Sequence, residues 1–209
     1  MTILVVGANG QIGKQFCEQA QQAGIAVRAM VRREEQLEWF KARGIEAVIG
    51  DLEGDMAHAF EGCDEVVFTA GSGPHTGPDK TLLIDLHGAM RSVDIAKEKG
   101  LKRFVMVSAI RAEKPLEAPE KMRPYMAAKL AADRYLENSG LAHVILKPGP
   151  LTDEAPTHGF VDSLEASPSG SITRADVAYA LVHVARHPAL ENRSVTLLNG
   201  DQPIDALLS

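Results

Sequence analysis

The sequence predicts an α/β fold in which a doubly wound, seven-stranded and mainly parallel sheet carries helices on both faces. Two observations lead to this fold class. Short apolar runs rich in β-branched residues alternate with amphipathic segments of helix length along most of the chain. The 209 residues, 45% hydrophobic and 24% charged, suffice for one sizeable core but hardly for two. We therefore expect residues 1–209 to form a single domain.

The order of elements follows from these runs. Strands are predicted at residues 2–7, 25–31, 46–50, 64–70, 103–109, 143–149 and 194–200. Helices are predicted near residues 11–23, 34–43, 54–61, 79–99, 120–139 and 174–187. Thr173 and Asp176 fit a capping box at the start of the last helix, and Pro188 ends it. Residues 148–172 are rich in Pro, Gly, Ser and Thr, which predicts a long loop or small cap on the substrate side.

The charge and the termini limit the partners of the chain. A formal net charge of −6 argues against general affinity for nucleic acid or for an anionic membrane, so a small molecule is the expected partner. The first residues form a strand-like run without a basic signal-peptide region, and no apolar run reaches membrane-spanning length. We therefore expect a cytoplasmic protein. Cys17 and Cys63 show no CxxC spacing and are expected to be packing residues.

The first predicted strand ends in a glycine-rich turn, "VVGANGQIGKQ", that leads directly into a helix. Such a turn offers backbone N–H groups and the positive end of a helix to a pyrophosphate, and glycine permits the close approach. The spacing G-x-x-G-x-x-G predicts a cofactor loop formed by Gly7, Asn9, Gly10, Gln11, Ile12 and Gly13. The alternative is a tight connection between strand and helix without a ligand.

Arg32 and Arg33 stand at the end of the second predicted strand, where an NAD site usually carries an acidic residue for the ribose hydroxyls. Cations are poorly placed at the start of a helix because of the helix dipole, which suggests an anion nearby. We therefore predict NADP(H) in preference to NAD(H), the 2′-phosphate pairing with the arginines. A solvated basic helix start is the alternative. Asp51 and Leu52, after the third strand, are expected near adenine, and Ala70 and Gly71, after the fourth, near the adenine ribose and pyrophosphate.

Four further motifs extend the pattern along the chain. A strand-like run "VMVSA" carries Ser108, "YMAAK" follows at residues 125–129, and "LKPGPLTDE" and "SITRADVA" follow later. Together with the glycine loop, these motifs resemble the short-chain dehydrogenase/reductase superfamily with its Rossmann fold. The likeness spans nearly the whole chain and is strongest to compact atypical members, related to the NAD-dependent epimerase/dehydratase and NmrA-like groups.

This resemblance implies further site residues. The Pro-Gly segment of such proteins lies along the nicotinamide, which here implicates Pro148, Gly149, Pro150 and Leu151. Two positions depart from the pattern, since Val6 stands where many relatives have threonine, and "TAGSG" replaces an asparagine-containing motif after the fourth strand. These departures affect the assignment of a substrate more than that of the cofactor.

Carbonyl reduction needs a positioned proton donor, and Tyr125 is the candidate. Lys129 lies four residues later on the same helix face, where it could reach the nicotinamide ribose; its charge and that of the nicotinamide could lower the pKa of the phenol. Ser108 would hydrogen-bond the substrate carbonyl. The alternative is that none of the three has a catalytic role. Tyr and Lys at this spacing occur by chance on many helices, and Ser108 could simply end a strand. Helices 79–99 and 120–139 could pair across a homodimer or pack only on their own sheet.

Other chemistries have weaker support in the sequence. His183 and His187 have a spacing that permits a shared metal, but no third ligand is evident, so no metal is predicted. The leading hypothesis is an NADP(H)-dependent oxidoreductase acting on a carbonyl or alcohol group of a small organic substrate. One alternative is an NADP(H)-binding regulator or redox sensor without turnover. Another is a nucleotide-sugar epimerase or dehydratase, disfavoured because only about sixty residues follow Pro150 to form a substrate domain.

Overall fold

The computed structural model describes residues 1–73 and 75–209. Its ten strands are β1 Thr2–Val6, β2 Ala26–Val31, β3 Glu46–Ile49, β4 Glu65–Phe68, β5 Arg103–Val107, β6 Ala142–Pro148, β7 Leu151–Thr152, β8 Phe160–Val161, β9 Ile172–Thr173 and β10 Arg193–Asn199. Eight of them form one sheet in the order β3-β2-β1-β4-β5-β6-β10-β8, and β7 pairs with β9 separately. Only β8 runs antiparallel in the large sheet. The predicted doubly wound α/β fold is confirmed, with one strand more than predicted.

Seven α-helical segments accompany the sheet, namely α1 Gln11–Gln22, α2 Leu37–Lys41, α3 Pro78–Lys80, α4 Ala89–Glu98, α5 Arg123–Glu137, α6 Arg174–Arg186 and α7 Ile204–Leu207. Residues Thr81–Gly88 form a π-helix that joins α3 to α4. Short 3₁₀ turns occupy Glu34–Gln36, Ala57–Phe60, Pro115–Glu117 and Glu120–Met122. Within the described ranges, none of the helices is both long enough and apolar enough to cross a membrane.

The core lies on both faces of the sheet, as the alternation of side chains along β1 shows. Ile3 and Val5 join a cluster with residues of α1 and α6, whereas Leu4 and Val6 join a second cluster with residues of α4 and α5. A strand whose two faces are both buried reads as a continuous apolar run, which explains the sequence of β1. Both cysteines are free, and Cys17 is buried. Burial raises the pKa of the Cys17 thiol to about 12, so this thiol is a packing group.

The strand order places a crevice at the carboxyl edge of the sheet. The chain passes from β1 to β2 and β3 on one side and then returns to β4 on the other side of β1. Open parallel sheets bind ligands where the order reverses in this way. The loops that follow β1 and β4 therefore border the expected binding crevice.

Residues 148–172, which we call the cap segment, run from the last residue of β6 to the first residue of β9; between these they contain the short strands β7 and β8 and otherwise lack regular structure. At the start of α6 the Thr173 side chain accepts a hydrogen bond from the Asp176 N–H, as expected of a cap. The Thr173 N–H is taken by Asn199 Oδ1 at 3.0 Å rather than by Asp176. The predicted helix cap is therefore present, although the reciprocal bond comes from β10.

Candidate functional site

Glycine stands at three positions of the loop after β1 for different structural reasons. Gly7 has φ +86°, and a Cβ there would lie 2.5 Å from the nitrogen of Ala70, two residues after the end of β4. A Cβ on Gly13 would collide with the Gly7 carbonyl oxygen, so this glycine lets α1 pack closely on the loop. Among residues 1–73 and 75–209, a Cβ on Gly10 would meet only the Gly7 oxygen, at 3.2 Å. Gly10 therefore borders open space that the protein itself leaves unfilled.

The helix α1 presents its amino end to the same space. Gly10 is its N-cap residue and supplies no side-chain hydrogen bond to the first turn. The first N–H groups of a helix have no intrahelical partner and favour an anion. Open space beside a glycine and an uncapped helix start fit the pyrophosphate of a dinucleotide.

A cleft of about 370 Å³ lies between the ends of β1, β2, β3 and β4. Eight of the predicted cofactor residues line it, namely Gly7, Asn9, Gly10, Arg32, Asp51, Leu52, Ala70 and Gly71. The cleft wall also contains nine residues for which no motif of the sequence predicted a role, namely Met30, Val31, Gln36, Gly50, Thr69, Ser72, Thr76, Lys80 and Ile84. The cleft wall does not include the other predicted cofactor residues, which are Gln11, Ile12, Gly13, Arg33, Lys129, Pro148, Gly149, Pro150 and Leu151.

The two arginines after β2 have different positions. Both side chains are exposed, but only Arg32 is part of the cleft wall. The backbone N–H groups of Arg32 and Arg33 donate to Gln36 Oε1 at 3.0 and 3.1 Å. Gln36 therefore fixes the turn from which the Arg32 guanidinium reaches the cleft. Its amide was not predicted to take part, although its position three residues after Arg33 is the spacing of a capping interaction.

The predicted proton donor and lysine lie on α5 with a third polar residue. Tyr125, Lys129 and Asp133 follow one another at intervals of four residues, which places them on one helix face. Lys129 is 2% exposed, and its Nζ donates to the Val107 carbonyl at 2.8 Å. Burial lowers the pKa of Lys129, while the carboxylates of Asp85 and Asp133 oppose that shift. The lysine is thus a buried group between two acidic residues.

Tyr125 is half-buried beside the same two carboxylates. Burial raises the pKa of its phenol, and the negative charges of Asp85 and Asp133 raise it further. The phenol is therefore protonated at neutral pH. We predicted a lowered pKa caused by Lys129 and by the nicotinamide charge; in the protein alone the shift is upward, because burial and two carboxylates act on the phenol.

Ser108 follows β5 and is bonded inside the protein. Its Oγ donates to Asp133 Oδ2 at 2.8 Å, and Lys147 Nζ lies 3.7 Å from the same oxygen. The other carboxylate oxygen of Asp133, Oδ1, is buried and has no hydrogen-bond partner among the residues that the structure describes. Burial raises the pKa of Asp133, and the Ser108 hydrogen bond and the charges of Lys129 and Lys147 oppose this shift.

Asp85 connects this buried group to the cleft. It lies in the π-helix Thr81–Gly88 and is 1% exposed, and its Oδ2 accepts the Ser72 N–H at 3.0 Å. A Cβ on Gly71 would lie 3.1 Å from Asp85 Oδ1. Gly71 and Ser72 line the cleft, whereas the charge of Asp85 acts on Tyr125 and Lys129. One carboxylate thus contacts the cleft wall and lies near the α5 residues.

The Pro-Gly segment after β6 is held by neighbouring strands. The Pro148 carbonyl accepts the Ile110 N–H at 2.9 Å, and the Gly149 N–H donates to the Leu197 carbonyl at 3.1 Å. A Cβ on Gly149 would come within 2.7 Å of the Gly170 oxygen. The glycine is therefore required by packing between β10 and the cap segment.

Comparisons with known proteins place this geometry in a family. A Bacillus subtilis (strain 168) protein named uncharacterized sugar epimerase YhfK is 44% identical over 208 residues, covering 98% of this chain and 97% of that protein. A Bacillus halodurans structure described as a candidate NAD-dependent epimerase/dehydratase has a TM-score of 0.92 and 40% identity, covering 99% of this chain and 97% of that one.

A third similar protein is an oxidoreductase, ylbE, from Lactococcus lactis. Its structure has a TM-score of 0.86 and 27% identity, covering 99% of this chain and 94% of that one. A family model described as NAD(P)H-binding matches residues 7–188, which include the glycine loop, the cleft and the α5 residues. The chain therefore belongs to the NAD(P)H-binding family.

Proposed function

We propose that this chain is an NADP(H)-dependent oxidoreductase that reduces, or reversibly oxidises, a carbonyl or alcohol group of a small organic molecule. The observation that carries the proposal is the position of Asp85. Its carboxylate accepts a hydrogen bond from Ser72 in the cleft wall and acts electrostatically on Tyr125 and Lys129. A titratable pair linked through Asp85 to a cleft suits hydride transfer that is coupled to proton transfer.

The cleft supplies the groups that would hold the cofactor. The loop from Gly7 to Gly13 and the start of α1 would bind the pyrophosphate, because Gly10 leaves the space and the helix end offers N–H groups. The exposed guanidinium of Arg32 in the cleft wall would bind a 2′-phosphate, which favours NADP(H) over NAD(H). Asp51 and Leu52 stand in the wall where adenine would lie.

The α5 residues would carry the proton. A bound nicotinamide would supply or accept the hydride. Tyr125 is protonated at neutral pH because burial and two carboxylates raise its pKa, and a protonated phenol can donate to a developing alkoxide. The charge of Lys129, favoured by Asp85 and Asp133, would stabilise the phenolate that remains. Ser108 would orient the substrate carbonyl after its hydroxyl leaves Asp133.

A second candidate function is an NADP(H)-binding sensor without turnover. The observation that favours it is that Ser108 and Lys129 are both bonded inside the protein, to Asp133 and to the Val107 carbonyl. A protein that only binds the dinucleotide would use the glycine loop and Arg32 and would not need a free serine hydroxyl. The two candidates differ in whether the tyrosine phenol contributes to a rate.

The test compares two tyrosines on the same helix. Tyr125→Phe removes the proposed proton donor and should lower the rate of NADPH oxidation with an accepted aldehyde, ketone or quinone by about 10² to 10⁴. Tyr135→Phe is the matched control, because that phenol donates to Asp94 on α4 at 2.7 Å and its pKa is raised first by this hydrogen bond, not by Asp85 and Asp133. Its turnover should equal that of the unmodified protein, and both variants should bind NADPH with unchanged affinity.

Three outcomes would contradict parts of this proposal. Full turnover of Tyr125→Phe on an accepted substrate would refute the proton-donor assignment but leave the oxidoreductase class. The sensor would be favoured if the protein binds NADPH tightly but oxidises it with none of the aldehydes, ketones and quinones tested, and if Tyr125→Phe alters the binding of a protein partner. Equal losses in Tyr125→Phe and Tyr135→Phe would indicate a general structural effect.

A further inference from the structure

Three side chains with metal-ligating atoms meet near the carboxyl end of α6. His183 lies on α6, His187 directly follows it, and Asp205 lies on α7. One ligand atom from each residue lies within 4.8 Å of the other two. The spacing of the histidines is visible in the sequence, but Asp205 comes from a separate helix and is brought to them only by the fold.

Hydrogen bonds to backbone carbonyls determine which imidazole nitrogens carry protons. His183 Nε2 lies 2.8 Å from the Leu208 oxygen, and His187 Nδ1 lies 2.8 Å from the His183 oxygen. A carbonyl oxygen only accepts, so each of these nitrogens must donate. In neutral imidazoles the lone pairs then reside on His183 Nδ1 and His187 Nε2. Metal-bound histidines commonly have this arrangement, in which the second nitrogen donates to a carbonyl.

The carboxylate completes the group. Asp205 Oδ1 lies 3.7 Å from His183 Nδ1, the nitrogen with the lone pair, and the two imidazole ring centres are 4.1 Å apart. A carboxylate oxygen and an imidazole lone pair repel one another unless a cation lies between them. The cation can be a metal ion or a proton on His183. Two imidazoles and a carboxylate are the ligand types that zinc and related divalent ions prefer.

The backbone around the group is held firmly. Arg103, which is 2% exposed, donates from Nη1 to the His187 carbonyl at 2.9 Å. His183 is 8% exposed, and its ring position is fixed by the bond to Leu208. The carboxylate of Asp205 is 75% exposed and can rotate, whereas His187, also exposed, keeps its Nδ1 hydrogen bond to the His183 carbonyl. Ligand bonds of about 2.0 to 2.2 Å therefore require movement only of exposed side chains.

We propose that His183 Nδ1, His187 Nε2 and Asp205 form a binding site for a divalent transition-metal ion of the zinc class. Three protein ligands leave one tetrahedral position for water. The site joins α6 to the four-residue helix α7, which is too short to be stable by itself. Its role is to fasten the carboxyl-terminal segment to α6.

The test is a titration with Zn²⁺. Untagged protein is freed of metal with a chelator, and Zn²⁺ binding is measured against a chromophoric chelator. One Zn²⁺ per chain should bind, and His187→Ala and Asp205→Asn should each weaken binding at least tenfold. Both residues are exposed, so the variants should keep the circular dichroism spectrum of the original protein. Bound Zn²⁺ should also slow proteolysis of the segment after β10.

His58→Ala provides the matched control. His58 Nε2 lies 2.7 Å from the Ile49 oxygen, and its Nδ1 lies 3.3 Å from Asp55. This pair shares the carbonyl and carboxylate contacts of His183 but is not part of the three-residue group, so His58→Ala should leave Zn²⁺ affinity unchanged. The proposal is wrong if Zn²⁺ does not bind at one per chain, or if His187→Ala and Asp205→Asn bind it as tightly as the unmodified protein. It is also overturned if nitrogen NMR shows that a doubly protonated His183 persists when Zn²⁺ is added.

Discussion

Substitution of Gly10 should affect cofactor binding without straining the folded protein. Gly10→Val should weaken the binding of both NADPH and NADH at least tenfold, because the side chain would fill the space left for the pyrophosphate while meeting only the Gly7 oxygen inside the protein. Gly13→Val is the contrasting variant, since its Cβ would collide with the same oxygen and strain the folded state. Fluorescence titration with thermal melting distinguishes the two. Undiminished cofactor affinity in Gly10→Val would place the pyrophosphate elsewhere.

Arg32 determines the expected cofactor preference. We expect NADPH to bind at least about tenfold tighter than NADH, a difference of roughly 1.4 kcal/mol, because Arg32 in the cleft wall can pair with a 2′-phosphate. Arg32→Ala should remove most of this difference and leave NADH affinity unchanged. Arg33→Ala is the neighbouring comparison and should have the smaller effect, since Arg33 is outside the cleft wall. Calorimetric titration showing equal affinities in the unmodified protein would refute the NADP(H) preference.

At the scale of residues, the sequence reveals contacts that are local and hides those that cross the fold. The glycine loop and Arg32 follow single strands, so a short motif predicts their place. Asp133 could be suspected only from its four-residue spacing after Lys129. Its bond to Ser108 spans 25 positions and depends on the packing of α5 on β5. Asp85 was missed because nothing in its local sequence indicates that it meets Ser72.

At the scale of elements, Asp176 joins three parts of the chain. Its carboxylate accepts the N–H groups of Thr157 at 3.0 Å and His158 at 2.9 Å in the cap segment, and the Asn199 amide of β10 at 2.6 Å. Burial disfavours the charge, but these hydrogen bonds outweigh it and lower the pKa of Asp176 below its usual 3.8. The charged carboxylate therefore connects α6, the cap segment and the sheet through hydrogen bonds.

Asp176→Asn should lower the free energy of unfolding by about 2 kcal/mol and speed hydrogen exchange at residues 157–160, because charged hydrogen bonds of about 1.5–3 kcal/mol are lost. Since the folded pKa is the lower one, the contribution is fully present above about pH 4 and is lost as pH falls through the folded value. Urea unfolding at several pH values measures the free energy and its pH dependence, and hydrogen exchange is measured separately. The exposed Asp162 in the same segment provides Asp162→Asn as control, with no loss expected. An equal loss in both variants would contradict the fastening role.

The sequence predicted where strands and helices occur better than it predicted which kind of helix forms. All seven predicted strands are present because each is a run of apolar residues long enough to recognise, whereas the two-residue strands β7, β8 and β9 are too short to show a period. The helix predicted at 79–99 is instead α3, a π-helix and α4 in sequence. The π-helix carries Asp85, and its extra residue per turn has no sequence signature. The helix predicted at 54–61 is a 3₁₀ turn at Ala57–Phe60.

At the scale of the molecule, the two edges of the sheet have separate tasks. The carboxyl edge carries the cleft, and the amino edge carries a buried ion pair between the first residues of β4 and β5. Arg103 Nη2 lies 2.8 Å from Glu65 Oε2, and both side chains are at most 4% exposed. The same guanidinium donates to the carbonyls of Val184, His187 and Leu190 at the end of α6. One side chain thus joins the sheet to the helix that packs on α1.

Arg103→Met should therefore destabilise the whole molecule without changing the cleft. Removing the guanidinium leaves the Glu65 carboxylate buried without its cation and three carbonyls without a donor, a loss of about 3 to 5 kcal/mol in the free energy of unfolding. Lys102→Met is the matched control, because Lys102 pairs with Asp64 at 3.1 Å at the same edge but its side chain is 75% exposed. Its cost should stay below about 1 kcal/mol.

Well below the melting temperature, NADPH affinity should be the same in both variants, since the altered residues lie at the opposite edge from the cleft. Urea unfolding and NADPH titration on the same samples test both statements, and a loss of affinity in Arg103→Met at full folding would show that the two edges are coupled.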